Sequence, residues 1–263
     1  IMYVFFIFVI KGGVLLGRCI LVALALFATV IATVSASILP LNGHTALELA
    51  YRYKIVTLPA TYVYIILPII YILLCYWVYA QWKNRRTAHA LTFLQAILFT
   101  ASAITLIVWT ELWHYEQHTW SFIALTIATI CLFILHLTYD ATDNRLGGRL
   151  PISITLAWVS FLAMLNFAFN FVYNDLPDFG LSTQLWTVIF LTCGMAFALA
   201  IRFHRYDPAF PIIYIWFFIG IAVANSFNEL LVTTAALFLS GVLIVGILFI
   251  RKRLPQERND EDV

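Results

Sequence analysis

Long apolar stretches separated by short polar segments run along almost the whole chain. Eight of them approach the length of about twenty residues with which a helix crosses a hydrocarbon core. They lie near residues 18–40, 57–80, 89–112, 119–138, 151–173, 183–201, 210–227 and 231–250. A membrane β-barrel would instead show short alternating segments. The pattern therefore predicts an all-α, polytopic membrane helical bundle of about eight transmembrane helices.

Both ends of the chain depart from this pattern. Residues 1–17 begin with an apolar run too short to span and lack a basic start and a small-residue cleavage site, so we expect no signal peptide. We leave this N-terminal segment unassigned. Residues 251–263 form a charged tail that we expect on the cytoplasmic side, and within it residues 254–263 are expected to be disordered.

Two prolines lie in the second apolar stretch. Pro59 suits the first turn of a helix, where a missing N–H does no harm. Pro68 lies nine residues further on, where we expect it to kink the helix.

The composition agrees with a membrane protein. Hydrophobic residues make up 63% of the chain and charged residues only 11%, which is too little charge for the surface of an ordinary soluble domain. The expected surroundings are a lipid bilayer, and no nucleic-acid partner is expected.

The basic residues are divided unequally between the two sides of the predicted bundle. One side has only Arg52 and Lys54. The other has Lys11, Arg18, Lys83, Arg85, Arg86, Arg145, Arg149, Arg202, Arg205, Arg251, Lys252, Arg253 and Arg258. Loops rich in Lys and Arg stay in the cytoplasm, so we expect a multi-pass protein of a bacterial cytoplasmic membrane with both termini cytoplasmic.

The end of the third apolar helix has an unusual group of large polar and aromatic residues. Trp109, Trp113 and Glu116 follow an i, i+4, i+7 spacing and would share one helix face, with His114 beside them. The tryptophans could be interfacial anchors, or the group could form the lip of a ligand pocket. His114, Glu116 and His118 also form an HxExH string, but a helix would place the glutamate opposite the two histidines, so we expect no metal site.

The fifth apolar helix presents a more specific stripe. Trp158, Leu162, Asn166 and Asn170 recur every four residues and form one continuous face. Amides within a membrane helix need polar partners, which are found either on another helix or on a ligand. Both alternatives stay open on the sequence.

Signals for chemistry are weak. His136, Asn225 and Glu229 could act in a proton or ion relay, but each is alone on its helix and nearly every acidic residue lies at a helix end. Phosphate-binding loops, zinc-protease motifs and nucleophile elbows do not occur in the sequence. We therefore expect no enzyme, no catalytic residues, no metal and no required cofactor.

Three motifs together resemble the translocator protein family, whose bacterial members are called tryptophan-rich sensory proteins (TspO). The fifth helix reads P-x5-A-W-x4-A-x-L-N from Pro151 to Asn166. The loop and second helix, Leu39-Pro-Leu-Asn-Gly-His-Thr45 and Pro59-Ala-Thr-Tyr62-Val-Tyr64, and the string Trp113-His-Tyr-Glu116 are similar to the long, Firmicute-type members. The resemblance covers residues 18–175 as a five-helix core and implies that residues 176–250 form a three-helix membrane extension.

The resemblance implies a cavity covered by the loop between the first two helices, with bulky apolar ligands such as tetrapyrroles or sterols. Residues carried over by position are Pro59, Tyr62, Trp158 and Asn166, with Trp109 and Trp113 nearby. With His114, Glu116 and Asn170 from the two patterns above, they form the expected ligand-binding set. The chain departs from the family at Leu67, near which a tryptophan is usual, and at Leu106, near which an asparagine is usual.

The leading hypothesis is a TspO-like membrane protein that binds a hydrophobic small molecule, with porphyrin or haem as a candidate ligand, in sensing or transport. The two departures favour an alternative, a structural or regulatory membrane subunit that binds no ligand. A small-solute transporter is a third hypothesis, and homodimer formation is left open.

Overall fold

The computed structural model describes residues 2–53, 55–87, 90–174 and 179–250, without the side chains of residues 2–12 and Leu41. The described chain is helical, as predicted, and the bundle architecture is confirmed. Its α-helices are α1 (Met2–Ile38), α2 (Ala46–Arg52), α3 (Ile66–Lys83), α4 (Phe93–His114), α5 (His118–Leu137), α6 (Arg149–Tyr173), α7 (Thr183–Arg205), α8 (Ala209–Asn225) and α9 (Leu230–Phe249). There are also two 3₁₀ helices among the described residues: Leu41–Gly43 lies before α2, and Thr61–Ile65 lies directly before α3.

All eight predicted apolar stretches form helices, and α2 is an additional short helix between the first two. Within the described residues, seven helical segments are long and apolar enough to cross a membrane. The remaining apolar helix, α8, has 17 residues, or about 26 Å at the usual rise per residue, which is at the short end of the spanning range. α1 begins at Met2, so most of the unassigned N-terminal segment continues this helix. The tail 251–263 lies outside the described residues.

The start of the second spanning segment differs from the prediction. Pro59 lies in non-helical chain, and α3 begins only at Ile66 after a 3₁₀ turn. Pro68 is therefore in the first turn of α3, where an amide N–H has no helical partner, rather than inside the helix as predicted. The non-helical chain is held by α8, because the Ala60 amide donates to the Gly220 carbonyl at 3.0 Å.

Five helices form a closed ring in the order α1, α4, α5, α6, α3, in which each packs against the next and α3 returns to α1. α8 packs on the outside of α6, and α7 and α9 pack against α8 and each other. In the apolar 18-residue stretch of α6, 78% of the residues are buried, against 28–39% in the corresponding stretches of the other spanning segments. α6 is thus the helix shared by the ring and the extension.

Small and aromatic residues make this shared position possible. Phe161 of α6 stacks on Phe217 of α8 with ring centroids 3.5 Å apart. Gly194 of α7 lets Tyr214 approach, since a β-carbon there would lie 2.9 Å from the tyrosine ring. Ser160 meets the Tyr214 hydroxyl at 2.9 Å. Aromatic stacking and one internal polar pair therefore fasten the extension to α6.

A buried polar junction of Asp207, His136, Ser153 and Arg149 joins the ring to the extension at the end opposite α2. Oδ2 of Asp207 accepts hydrogen bonds from His136 Nε2 at 2.9 Å and Ser153 Oγ at 2.5 Å, and lies 3.8 Å from Arg149 Nε. All four residues are fully buried. His136, which was considered alone on its helix, is thus paired with an acidic residue from another element.

The same carboxylate begins α8. Its Oδ1 accepts the backbone N–H of Ala209 at 3.0 Å and of Phe210 at 3.4 Å. Such a contact satisfies amide groups that have no partner within the helix. Asp207 therefore fixes the start of α8 and its attachment to α5 and α6 together.

Candidate functional site

The ring encloses a cavity of about 550 Å³ between α1, α3, α4 and α6. Its wall is mainly aliphatic and aromatic, and its polar contributors are hydroxyl, amide, indole and imidazole groups. Lys, Arg, Asp and Glu do not occur among the described residues that line it. Its chemistry is therefore that of a binding chamber for an apolar molecule with few polar atoms.

The short helix α2 covers one end of the cavity. Its N-terminus is stabilised by a capping box in which Thr45 and Glu48 each bind the other's backbone amide. Leu49 and Ala50 on its inner side are buried, and Ala50 faces the cavity. Since α2 has only seven residues, its position depends on contacts with the ring rather than on its own helical stability.

Hydrogen bonds fasten the α2 region, residues 42–53, to the end of α4 and to Glu116 just after it. The indole N–H of Trp113 donates to the Ala46 carbonyl at 3.2 Å, and Nδ2 of Asn42 donates to the His114 carbonyl at 3.2 Å. Nη1 of Arg52 donates to Glu116 Oε1 at 2.7 Å. The α2 region and α4 thus form one connected covering.

Glu116 lies just after α4 and has a positive φ of 54°. Burial alone would raise the pKa of Glu116, but hydrogen bonds from Tyr53 and Arg52 outweigh it, and the pKa is lowered. Glu116 is therefore an anion that holds the C-terminal end of α2, and it does not line the cavity.

Five of the nine residues expected to bind ligand line the cavity: Trp109, Trp113, His114, Trp158 and Asn166. They come from the two helices whose four-residue spacing pointed to shared faces, α4 and α6. The structure thus brings the two sequence patterns together on one wall.

The other four expected residues, Pro59, Tyr62, Glu116 and Asn170, do not line it. The Pro59 carbonyl accepts a hydrogen bond from the Tyr51 hydroxyl at 2.5 Å. The Tyr62 ring packs edge-on against Trp216 of α8 and is 39% exposed. Oδ1 of Asn170 accepts from Thr119 at 3.0 Å. These residues support the chain around the cavity instead.

Asn166 connects three helices of the ring. Its Oδ1 accepts from Trp109 Nε1 of α4 at 3.3 Å and from Ser121 Oγ of α5 at 2.6 Å, and its Nδ2 donates to the Leu162 carbonyl at 3.1 Å. Asn166 therefore has partners on neighbouring helices, which was one of the two alternatives raised by the sequence, and it also lines the cavity.

The HxExH string does not assemble into a metal centre. Both histidines are buried, but Glu116 turns away to Arg52 and Tyr53. Within the part of the chain that the structure describes, no group of three metal-ligating side chains comes together. His118 instead packs among aromatic rings, the nearest being Tyr173 at 4.5 Å between centroids.

Several lining residues lie outside the expected set. Tyr64 packs edge-on against Trp158 with ring centroids 5.9 Å apart, and Tyr71 meets the Thr33 hydroxyl across the α1–α3 boundary. Leu67 and Leu106, the two departures from the family pattern, also line the cavity. Tyr64 stood in the motif Pro59–Tyr64, and its position two residues after Tyr62 was the available signal.

The cavity has an opening between α1 and α3, beneath α2. Its lining residues on α6 are all buried, whereas Val34, Ser37 and Ile38 of α1, Leu47 of α2 and Pro68 of α3 are exposed. These five residues line the cavity and also face outward. The opening therefore lies in the side wall of the bundle.

Comparison with known families gives one match that spans most of the chain. The family model described as "TSPO-like protein" matches residues 19–249, which includes the extension α7–α9 as well as the ring. No curated protein and no solved structure matches the chain.

Proposed function

The chain belongs to the TSPO-like protein family, and on that premise we propose that it binds a bulky hydrophobic ligand, of the porphyrin or sterol type, in sensing or transport. The main observation that supports this proposal is the apolar cavity of about 550 Å³ beneath α2. Small-molecule sites commonly have volumes of roughly 300–1,000 Å³ and a mainly apolar wall with a few polar groups.

The packing of the protein supports a binding role for this space. Protein interiors are close-packed, and voids larger than a water molecule are few. Trp158, Leu162, Asn166 and Phe169 of α6 all line the cavity and are nearly fully buried, so this part of the space lies in the interior of the bundle. A large space beside well-packed helix faces is better explained by a ligand than by loose packing.

We place the protein in a bacterial cytoplasmic membrane with both termini in the cytoplasm. The support is the distribution of Lys and Arg along the sequence. In this orientation α2 and the lateral opening lie towards the external side. The proposal is of a binding protein without catalytic residues or a required cofactor.

A matched pair of substitutions on α4 tests the cavity as the binding site. Leu106 lines the cavity, whereas Ile104, two residues away, is 55% exposed on the outside of the bundle. Leu106→Trp should fill the cavity and weaken protoporphyrin IX binding by about tenfold or more, because overpacking costs on the order of 1–3 kcal/mol. Ile104→Trp adds the same side chain outside and should leave affinity unchanged.

The measurement is equilibrium dialysis of protoporphyrin IX against protein in lipid nanodiscs, read by Soret absorbance, with empty nanodiscs as background. Equal affinity of the Leu106→Trp and Ile104→Trp proteins would reject the cavity as the site. Failure of the unsubstituted protein to bind any hydrophobic probe would reject the proposed function and favour a structural or regulatory subunit.

A further inference from the structure

Two lining residues of the cavity carry hydrogen-bond donors that are not used within the protein. Among the described residues, neither the indole N–H of Trp158 nor the hydroxyl of Tyr64 has a hydrogen-bond partner. Their rings pack against each other, and the Trp158 ring also stacks on Phe217. Neither donor atom is fully enclosed by protein: Nε1 of Trp158 and the hydroxyl oxygen of Tyr64 both keep some accessible surface. Trp158 as a whole is only 4% exposed.

The other indole N–H groups and the other tyrosine hydroxyl along the wall are already engaged. The bonded pairs are Trp109 with Asn166, Trp113 with the Ala46 carbonyl, and Tyr71 with Thr33. Their N–H and O–H groups hold the ring and α2 together. Trp158 and Tyr64 differ because their donors have no such structural task. Both residues line the cavity, and their rings pack against each other with centroids 5.9 Å apart.

An unpaired donor withdrawn from bulk water is unfavourable, and buried polar groups nearly always have partners. Two such donors on adjacent rings are therefore matched to an acceptor that the protein does not supply. The fitting acceptor is an oxygen atom of a bound molecule, such as a carbonyl or an ether-type oxygen.

The charge of the wall restricts that molecule further. The described lining residues include no Lys or Arg to accompany a carboxylate, and none of the acidic residues either. An ionised group moved into an apolar site loses its hydration without a counter-charge, at a high free-energy cost. The wall therefore favours an uncharged ligand over a dicarboxylate.

We propose that the ligand of this cavity is electrically neutral and presents an oxygen acceptor to Tyr64 and Trp158. This inference rests on the proposed function and narrows it: the favoured class is an uncharged polycyclic or macrocyclic ketone, ester or alcohol, and porphyrin dicarboxylates bind less well. Tyr64 and Trp158 set this specificity, while Asn166, Trp109 and Trp113 maintain the shape of the wall.

Three porphyrin probes with similar macrocycles separate charge from hydrogen bonding. Protoporphyrin IX carries two carboxylates, its dimethyl ester is neutral with carbonyl oxygens, and etioporphyrin is neutral without oxygen. Each is titrated into the full chain in phosphatidylcholine nanodiscs, and partition into empty nanodiscs is subtracted. We expect the dimethyl ester to bind about tenfold more tightly than protoporphyrin IX, and more tightly than etioporphyrin.

Single-group substitutions then test the two donors. Trp158→Phe and Tyr64→Phe keep the aromatic bulk and remove the donor, so each should weaken dimethyl ester binding by about fivefold, the size of one ordinary hydrogen bond. Etioporphyrin affinity should be unchanged in both variants. The matched controls are Trp77→Phe and Tyr139→Phe, whose side chains hydrogen-bond to each other at 3.0 Å outside the cavity.

Each other outcome counts against the proposal. Tighter binding of protoporphyrin IX than of its ester would overturn the neutral ligand while leaving the proposed function intact. Equal weakening of etioporphyrin and ester by Trp158→Phe and Tyr64→Phe would assign both residues a shape-keeping role and overturn the acceptor contact. Absence of binding by all three probes would overturn the proposed function, and this inference with it.

Discussion

Replacement of Asp207 by alanine tests whether the buried polar junction joins the extension α7–α9 to the ring. In the unsubstituted protein this carboxylate accepts hydrogen bonds from His136, Ser153 and two backbone amides at the start of α8. Arg149 Nε lies 3.8 Å away, and the guanidinium is fully buried. Asp207→Ala therefore leaves a buried cation without its anion and a helix start without its acceptor.

The expected loss of stability follows from these two effects. Removing one partner of a buried ion pair costs about 3–5 kcal/mol, and losing the acceptor at a helix N-terminus costs about 1 kcal/mol. The free energy of unfolding should therefore fall by about 4–6 kcal/mol. Asp207→Asn keeps an acceptor for the α8 amides and should lose less. Arg145→Ala, at a cation that is 67% exposed, should lose at most about 1 kcal/mol.

The pH dependence of this contribution has a defined sign. Burial by itself raises the pKa of Asp207, but hydrogen bonds from His136 and Ser153 and the charge of Arg149 outweigh it, and the pKa is lowered below the ordinary 3.8. A lowered folded-state pKa gives stability that is complete above the unfolded value and is lost as the pH falls through the folded value. The difference between the unsubstituted protein and Asp207→Ala should thus be constant near neutral pH and shrink only in strong acid.

Reversible unfolding by dodecyl sulfate in mixed micelles, followed by circular dichroism, gives the free energies. A loss below 1 kcal/mol for Asp207→Ala would refute the reasoning, because a buried anion with four donors and a nearby guanidinium could not then be essential to the junction. An equal loss for Arg145→Ala would show a general sensitivity of this end of the bundle instead.

Two further predictions concern the chain around the cavity. A β-carbon at Gly220 would lie 2.2 Å from Val63 Cγ2, whereas one at Gly241 meets no atom within 4 Å. Gly220→Ala should therefore lower the free energy of unfolding by about 1–3 kcal/mol, and Gly241→Ala should be neutral or slightly stabilising. Equal unfolding midpoints for the two variants would contradict the close approach at Gly220. Glu116→Gln should hardly change thermal stability, since an exposed ion pair is worth about 0–1 kcal/mol, but should speed release of a bound porphyrin ester about threefold in stopped-flow measurements by loosening α2. The unsubstituted protein should show the same acceleration only below the pH range in which carboxyl groups ordinarily titrate, because the pKa of Glu116 is lowered. An unchanged release rate in Glu116→Gln would disprove a role of the Glu116–Arg52 contact in holding α2.

The fold was largely predictable because apolar length is a strong signal in a membrane protein. Helix boundaries were less accessible where tertiary contacts replace local ones. Pro59 resembled a helix start, but the following chain donates its Ala60 amide to Gly220 of α8, a partner 160 residues away in the sequence. No local pattern around Pro59 carries that information.

The candidate site was predictable in part for a similar reason. Four-residue spacing identified the faces of α4 and α6, and Trp109, Trp113, Trp158 and Asn166 do line the cavity. Spacing gave no guidance for Tyr62, because the chain there is a 3₁₀ turn whose orientation depends on α8.

The polar junction was missed because its partners come from distant parts of the chain. Asp207 lay in a short polar connection that is usually solvated, and His136 and Ser153 are 71 and 54 residues away in the sequence. The Asp-Pro pair at the start of an apolar stretch was a usable sign of a helix start. It could not indicate that the same carboxylate would be enclosed by α5 and α6.

The side opening between α1 and α3 affects how a ligand's concentration should be defined. Its rim residues Val34, Ile38 and Leu47 are apolar and outward-facing, so we expect them to meet acyl chains rather than water in a bilayer. For a molecule that dissolves in those chains, the concentration available at the opening is its mole fraction in the lipid. We therefore expect occupancy to fall when empty vesicles are added at constant total ligand, and apparent dissociation constants to scale with the amount of lipid present.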